Sequence, residues 1–274
     1  MKSFLWIFAL IFTLGAAVYQ RVTGPTYPLK RYVTIGKQKI QITLLRSHST
    51  SSDCPVILRV PDITVNGTIS FRKFPGKDEM VKIDLKREGD KLTGYLPKQP
   101  PAGKLEYRVD LTKNGAPLMV GKDTQVVIRF TGDVPEVILG IHIFLMFLAM
   151  FLSNITGLFA LFKFRSYRLL AVLTFAILFA GGMVMGPIVQ KYAFNEYWTG
   201  APFGWDLTDN KTLIAILAWL LAMVMLRKKT AAIWIIAASL ITIIIFSIPH
   251  SLYGSQLNQK TGKIIQGTIL PLHL

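Results

Sequence analysis

The chain has 274 residues, a mean hydropathy of +0.44 and only 17% charged residues, which excludes an ordinary soluble protein and supplies several windows of membrane-crossing length. Its 31 Lys and Arg outnumber 15 Asp and Glu, a net charge of +16. The single cysteine, Cys54, excludes an intramolecular disulfide, a CxxC redox pair, a thiolate metal cluster and covalent haem attachment through CxxCH.

In chain order, residues 4–19 form an apolar run after Lys2, short for a span and long for a signal-peptide core. With Gly15-Ala16-Ala17 as a candidate cleavage site, residues 1–19 read as a membrane anchor or a signal peptide, the anchor being preferred. Either one exports the segment from residue 20 onward.

Residues 20–134 read as β-structure and hold 20 Lys and Arg against 11 Asp and Glu. A basic segment beside a membrane points to anionic headgroups or an acidic partner. Runs such as "YVTIGKQKIQITLL", "PVILRV", "GTISFRKF", "KLTGYL", "KLEYRVDL" and "TQVVIRF" are short, β-branched or aromatic, and partly alternating. Turn clusters such as "FPGKDE", "REGDK" and "KNGAP" separate them. Six or seven strands in this length predict an all-β sandwich. The segment "LPKQPPAGKLEYRVDL" resembles the Ig and fibronectin-III pattern, in which a Pro/Gly turn leads into a strand carrying a corner tyrosine, here Tyr107. A generic β-domain with Tyr107 in its core is the alternative.

Residues 135–250 predict a four-span membrane core, at 135–161, 169–189, 212–226 and 231–248. Lys163, Arg165 and Arg168 come after the first of these, and Arg227, Lys228 and Lys229 after the third, with no acid in either connection. The positive-inside rule puts both in the cytoplasm. The β-domain, the loop at 191–211 and the tail at 251–274 then share the extracytoplasmic side of a cell (inner) membrane, which leaves no role for nucleic acid. The expected architecture is an α-helical polytopic membrane protein with an extracytoplasmic all-β domain.

The loop "EYWTGAPFGWDLTDNKT" at 196–212 carries more aromatics than a connection needs. An interfacial belt accounts for Tyr197, Trp198 and Trp205, and helix capping for Asp206 and Asp209. Two histidines flank the loop: His142 near the start of one span and His250 at the end of the last. His48 and His273 read as incidental. An ionisable group inside a span is a functional candidate by default. Two imidazoles from separate helices suit the axial positions of a haem iron. Trp198, Phe203 and Trp205 would then give flat apolar cover, and Lys191 and Lys211 partners for propionates.

In this order of parts the sequence resembles the haem-handling membrane proteins of cytochrome c assembly, the CcsA/CcmC superfamily with its Trp-rich WWD loop. His142, two spans, "NEYWTGAPFGWD", two further spans and "PHSLYG" around His250 match the family's arrangement over roughly residues 135–255. The resemblance implies bis-histidine ligation of haem b by His142 and His250, with Trp198, Phe203, Trp205 and Asp206 binding the cofactor near the outer surface. Phe203 stands at an aromatic position of the family loop, and "LTD" replaces its usual Pro-Lys-Glu. The extra spans and inner histidines of the larger synthases have no counterpart here. The implied activity is binding haem and presenting it to an apo-cytochrome or another assembly subunit docked on the basic β-domain, not stand-alone enzymatic chemistry. The alternatives are a b-type cytochrome for electron transfer and a non-catalytic membrane-anchored scaffold.

Phosphate loops, HExxH, GxSxG and intramembrane carboxylate clusters do not occur in the sequence. "Asn66-Gly-Thr" and "Asn154-Ile-Thr" match the glycosylation pattern at chance frequency, and Gly181, Gly182 and Gly186 suit close helix packing.

Overall fold

The computed structural model describes residues 1–120, 125–249 and 252–265. Helix α1 (Lys2–Val22) precedes a strand-rich segment, and a set of apolar helices comes after it. The strands are β1 (Leu29–Ile35), β2 (Gln38–Leu44), β3 (Ser47–Ser49), β4 (Cys54–Arg59), β5 (Val65–Lys73), β6 (Val81–Asp84), β7 (Lys86–Glu88), β8 (Lys91–Leu96), β9 (Lys104–Lys113), β10 (Ala116–Leu118) and β11 (Val126–Thr131). The helices are α2 (Glu136–Leu161), α3 (Tyr167–Phe179), α4 (Gly186–Phe194), α5 (Leu207–Val224) and α6 (Ala231–Ser247). Two short strands, β12 (Gln256–Leu257) and β13 (Ile264–Ile265), come last among the described elements.

The larger sheet runs β3-β11-β9-β5-β6, with β10 also on β9, and a second sheet runs β4-β8-β7. Strands β1 and β2 pair as a hairpin. Alternate residues from both sheets and the hairpin meet in one core, including Val33, Leu44, Leu58, Ile69, Leu92 and Phe130. Period-two side chains put these on one face of each strand, and their burial is the main favourable contribution of the segment. Tyr107 lies fully buried in that core, and its hydroxyl donates to Leu45 O at 2.8 Å. The bond spans 62 positions, so this tyrosine ties two distant segments instead of closing the local turn of an Ig-type corner. Burial pushes the Cys54 thiol up to about 11, which keeps it protonated and inert.

Among the described residues, four helical stretches are long and apolar enough to cross a membrane: Lys2–Val22, Glu136–Leu161, Tyr167–Phe194 and Leu207–Arg227. Helix α6 is apolar but shorter, at 17 residues. Helix α2 packs against α1, α3 and α6. Small and hydroxylated residues let the helices approach, as in membrane bundles. A side chain on Gly157 would run into Ser239, whose hydroxyl donates to Ser153 O at 2.9 Å. Asn154 donates to Thr13 of α1 at 2.8 Å, and Trp219 of α5 donates to Thr242 of α6 at 2.9 Å.

Two helices differ from the sequence reading. The span expected at 169–189 is α3 and α4 joined by a π-helical turn (Ala180–Met185) and reaches Phe194. Pro187 has no N–H to give the helix ladder, and a widened turn in the glycine-rich "GGMVMGP" absorbs the defect. Helix α4 ends at Asn195, which takes a left-handed conformation with φ 62°. Helix α5 starts at Leu207, ahead of the expected start at 212, because Asp206 caps it.

The strand-rich segment meets the helices at the C-terminal end of α4. Gly132 donates its backbone N–H to Ala193 O at 2.9 Å, and a Cβ at Gly132 would collide with the Tyr192 carbonyl. Past α6 the chain returns to the sheet, where Leu257 N–H donates to Ala102 O at 3.0 Å.

Candidate functional site

A cavity of about 490 Å³ lies at this junction, within the size range of small-molecule and cofactor sites. One part of its wall is apolar, from Met146, Phe147 and Met150 of α2, Val189 of α4 and Phe246 of α6. The other part is polar, from His142, Gln190, Asp206, Asp209, Ser255 and Arg129 of the sheet. It is made jointly by the helices and the β-segment.

His142 sits in the second turn of α2, and its Nδ1 lies 3.0 Å from Gly181 O. A carbonyl only accepts, so the Nδ1 proton makes this bond. The neutral imidazole then carries its lone pair on Nε2. Gly181 is in the π-helical turn, and its carbonyl also accepts from Gly186 N–H through the wide i→i+5 bond of that turn. The break forced by Pro187 therefore lies beside the group that orients the histidine. A backbone carbonyl fixing one ring nitrogen is the usual outer-shell support of a metal-ligating imidazole.

The loop before α5 folds around the first residues of that helix. Asp206 caps α5 by accepting from Thr208 N–H at 2.7 Å on Oδ1. Its Oδ2 accepts from both the amide and the hydroxyl of Ser255, each at 2.7 Å. Asp209 turns back under the loop and accepts from Thr199 N–H at 2.6 Å and from Gln190 Nε2 at 3.0 Å. Asn210 Oδ1 accepts from Ala201 N–H at 2.8 Å. Asp209 is thus a buried loop anchor and not a cap. Gly200 lies against it, and a Cβ there would come within 2.7 Å of Asp209 Cβ.

Three buried cations surround Asp206. Lys104 donates to Gln256 Oε1 at 3.1 Å, and Lys211 donates to Ile248 O at 2.9 Å. Arg129, only 2% exposed, stacks its guanidinium 4.2 Å from the centre of the Phe194 ring. Lys104 and Arg129 are directly opposed across β9 and β11. Burial, and then the neighbouring Arg129 charge, draw the Lys104 pKa down to about 7, with Asp206 acting in the opposite sense. Burial also draws Arg129 down to about 10, again against Asp206, and it stays charged at neutral pH.

Of the residues singled out from sequence, His142 and Asp206 line the cavity. Trp198 is half-buried, and its indole N–H donates to Ala201 O at 3.0 Å. Phe203 and Trp205 are 85% and 71% exposed. None of these three aromatics is among the cavity-lining residues. Lys191 donates to Asn195 O and lies over Tyr197, and Lys211 is committed to Ile248. His250 and His273 lie outside the described residues, while His48 sits in the β-segment beside Phe130.

Sequence reasoning passed over Arg129, Lys104, Gln190 and Ser255. One signal was present: a lone arginine inside the apolar run "VVIRF". Among the described residues, no group of three or more His, Cys, Asp or Glu side chains is arranged to hold a bare metal ion. The chain matches no protein-family model, and no curated protein or solved structure matches it.

Proposed function

We propose that this chain is a membrane protein of the cytochrome c assembly type that binds haem b in the junction cavity and presents it to an acceptor. The observation that carries this reading is His142, which lines a roomy cavity with its Nδ1 committed to Gly181 O, so that Nε2 keeps its lone pair. A porphyrin would bring ring nitrogens of its own, so the protein would need to supply only imidazole side chains. His250, which would be the second iron ligand in this reading, is assigned from sequence order. His250 lies outside the described residues.

The residues present fit the group in other respects. Met146, Phe147, Met150 and Phe246 offer apolar contact to a macrocycle, and Arg129 offers a cation for its acidic edge. Haem bound there supplies a redox-active iron on a carrier that can be passed on. His142 would hold the iron, while Asp206 and Asp209 hold the loop and the returning chain in place around the cavity. Phe203 and Trp205, standing out from the loop, suit contact with lipid headgroups or with an acceptor.

The finer architecture belongs to the same proposal. Two sheets sharing one core support an Ig- or fibronectin-III-like sandwich for residues 20–134. The packing of α1 on α2 and α6 supports an anchor that stays with the core. The basic connections at 163–168 and 227–229 lie just past the ends of α2 and α5 remote from the cavity. With those connections in the cytoplasm, the cavity, the β-domain and the tail face the extracytoplasmic side.

The test is the absorbance spectrum of the purified protein. A b-type Soret and α band is expected, reduced in His142→Ala and lost in His142→Ala/His250→Ala. A folded wild type that stays colourless after haem addition sinks the proposal. Haem transfer to an apo-cytochrome, set against reduction by a soluble donor, separates assembly from electron transfer.

A further inference from the structure

We infer that Arg129 is the recognition site for a carboxylate, so that the cavity takes an amphipathic acid whose charged end docks on the β-segment while its apolar body lies among the helices. The inference rests on the haem reading only for the identity of the apolar body. The polar end stands on its own observations.

Arg129 is buried to 2% exposure on the cavity wall, and its Nε has no hydrogen-bond partner. Its guanidinium makes no hydrogen bond and no ion pair with any described residue, and it lies 4.2 Å from the centre of the Phe194 ring. A buried guanidinium without an acceptor is costly, and a cation–π contact offsets only part of that cost. Lys104 stands directly opposite on β9, a like-charge cross-strand pair that a sheet ordinarily avoids.

The nearby carboxylates reach this charge only through space and give it no hydrogen bond. Asp206 has Oδ1 engaged by Thr208 and Oδ2 by Ser255, and Asp209 is taken up by Thr199 and Gln190. Among the described residues, Lys104, Arg129 and Lys211 are all buried, and none of the three hydrogen-bonds to Asp206 or Asp209. The guanidinium fork matches a carboxylate in bidentate fashion. The apolar wall begins beside it, with Phe194, Ala193 and Val189 leading toward Met146 and Phe246. An acid on a flat or chain-like apolar body fits both ends. A porphyrin propionate and a membrane fatty acid share this chemistry.

The full-length protein in detergent is titrated with iron-free protoporphyrin IX and with its dimethyl ester, using porphyrin fluorescence as the signal. Charge-assisted bonds of this kind are worth about 1.5–3 kcal/mol, so the acid is expected to bind about ten- to a hundredfold tighter than the ester. Arg129→Gln is expected to bring the acid down to the ester's affinity and leave the ester unchanged. Arg129→Lys, which keeps the charge and loses the fork, is expected to fall between. Equal binding of acid and ester by the wild type in both the porphyrin pair and the palmitate pair overturns the inference, as does an acid preference that survives in Arg129→Gln. Palmitate and methyl palmitate are run in parallel, and an Arg129-dependent preference for palmitate alone assigns the carboxylate to a lipid. Iron-free porphyrin has no axial ligand, so these outcomes do not depend on His142. An unchanged haem spectrum in His142→Ala would remove the haem reading and leave the carboxylate site standing.

Discussion

Asp206 and Ser255, 49 positions apart, are joined by two hydrogen bonds of 2.7 Å on one carboxylate oxygen, while the other oxygen caps α5. The start of α5 and the chain returning from α6 are therefore held by one side chain. Asp206→Ala is expected to lose the cap, about 0.5–2 kcal/mol, together with the anchorage of the 252–257 segment. Hydrogen exchange checks this: amides around Ser255 should lose protection while those of β5 and β9 keep theirs. Unchanged exchange at Ser255 would show that the bonds do not hold the segment.

Lys104 makes stability depend on pH in the ligand-free protein. Its folded pKa of about 7 lies below its ordinary value of 10.5, so the unfolded chain binds more protons between those limits. Stability should therefore rise as pH climbs from about 7 toward 10.5 and be insensitive to this group below pH 7. Lys104→Met removes the buried charge and is expected to flatten that slope and to stabilise the protein by a few kcal/mol at pH 7. Thermal melts of both proteins across this range decide it, and parallel slopes would exonerate Lys104.

Gly132 lies where strand and helix backbones touch. A Cβ there meets the Tyr192 carbonyl, which has no rotamer by which to move aside. Gly132→Ala is expected to destabilise by about 1–3 kcal/mol and to weaken ligand binding, because the sheet that carries Arg129 must shift from α4. Alanine at Gly140, where a Cβ meets nothing, serves as the control and is expected to be neutral. A melting temperature that does not move in Gly132→Ala would mean the junction has slack.

Phe203 and Trp205 are expected to matter for delivery more than for retention, since neither lines the cavity. The double variant Phe203→Ser/Trp205→Ser should keep the Soret intensity of bound haem and slow its transfer to an apo-cytochrome several-fold. Loss of the haem band instead would put the cofactor on the loop and outside the cavity.

The mixed helical and β character was legible because it rests on local patterns. Alternation marks β2 and β5, and long apolar runs mark α2 and α6. His142 was legible for a related reason: a polar ring in an apolar run stands out by itself. The π-helical turn was not, because Pro187 can end, kink or widen a helix and the neighbours decide which. Nor was the role of Asp209, since capping is the local default and its actual partners, Thr199 and Gln190, depend on how the preceding loop folds back. Arg129 was counted only as part of the net charge of its segment. Its isolation is a property of the β9–β11 pairing and of the Phe194 ring, neither of which a linear pattern contains.

Arg129 and His142 are thirteen positions apart, on a strand and a helix joined by the short 132–135 link. Because that link begins at the Gly132 contact with α4, any displacement of the sheet against α4 would be felt by Arg129 and His142 together.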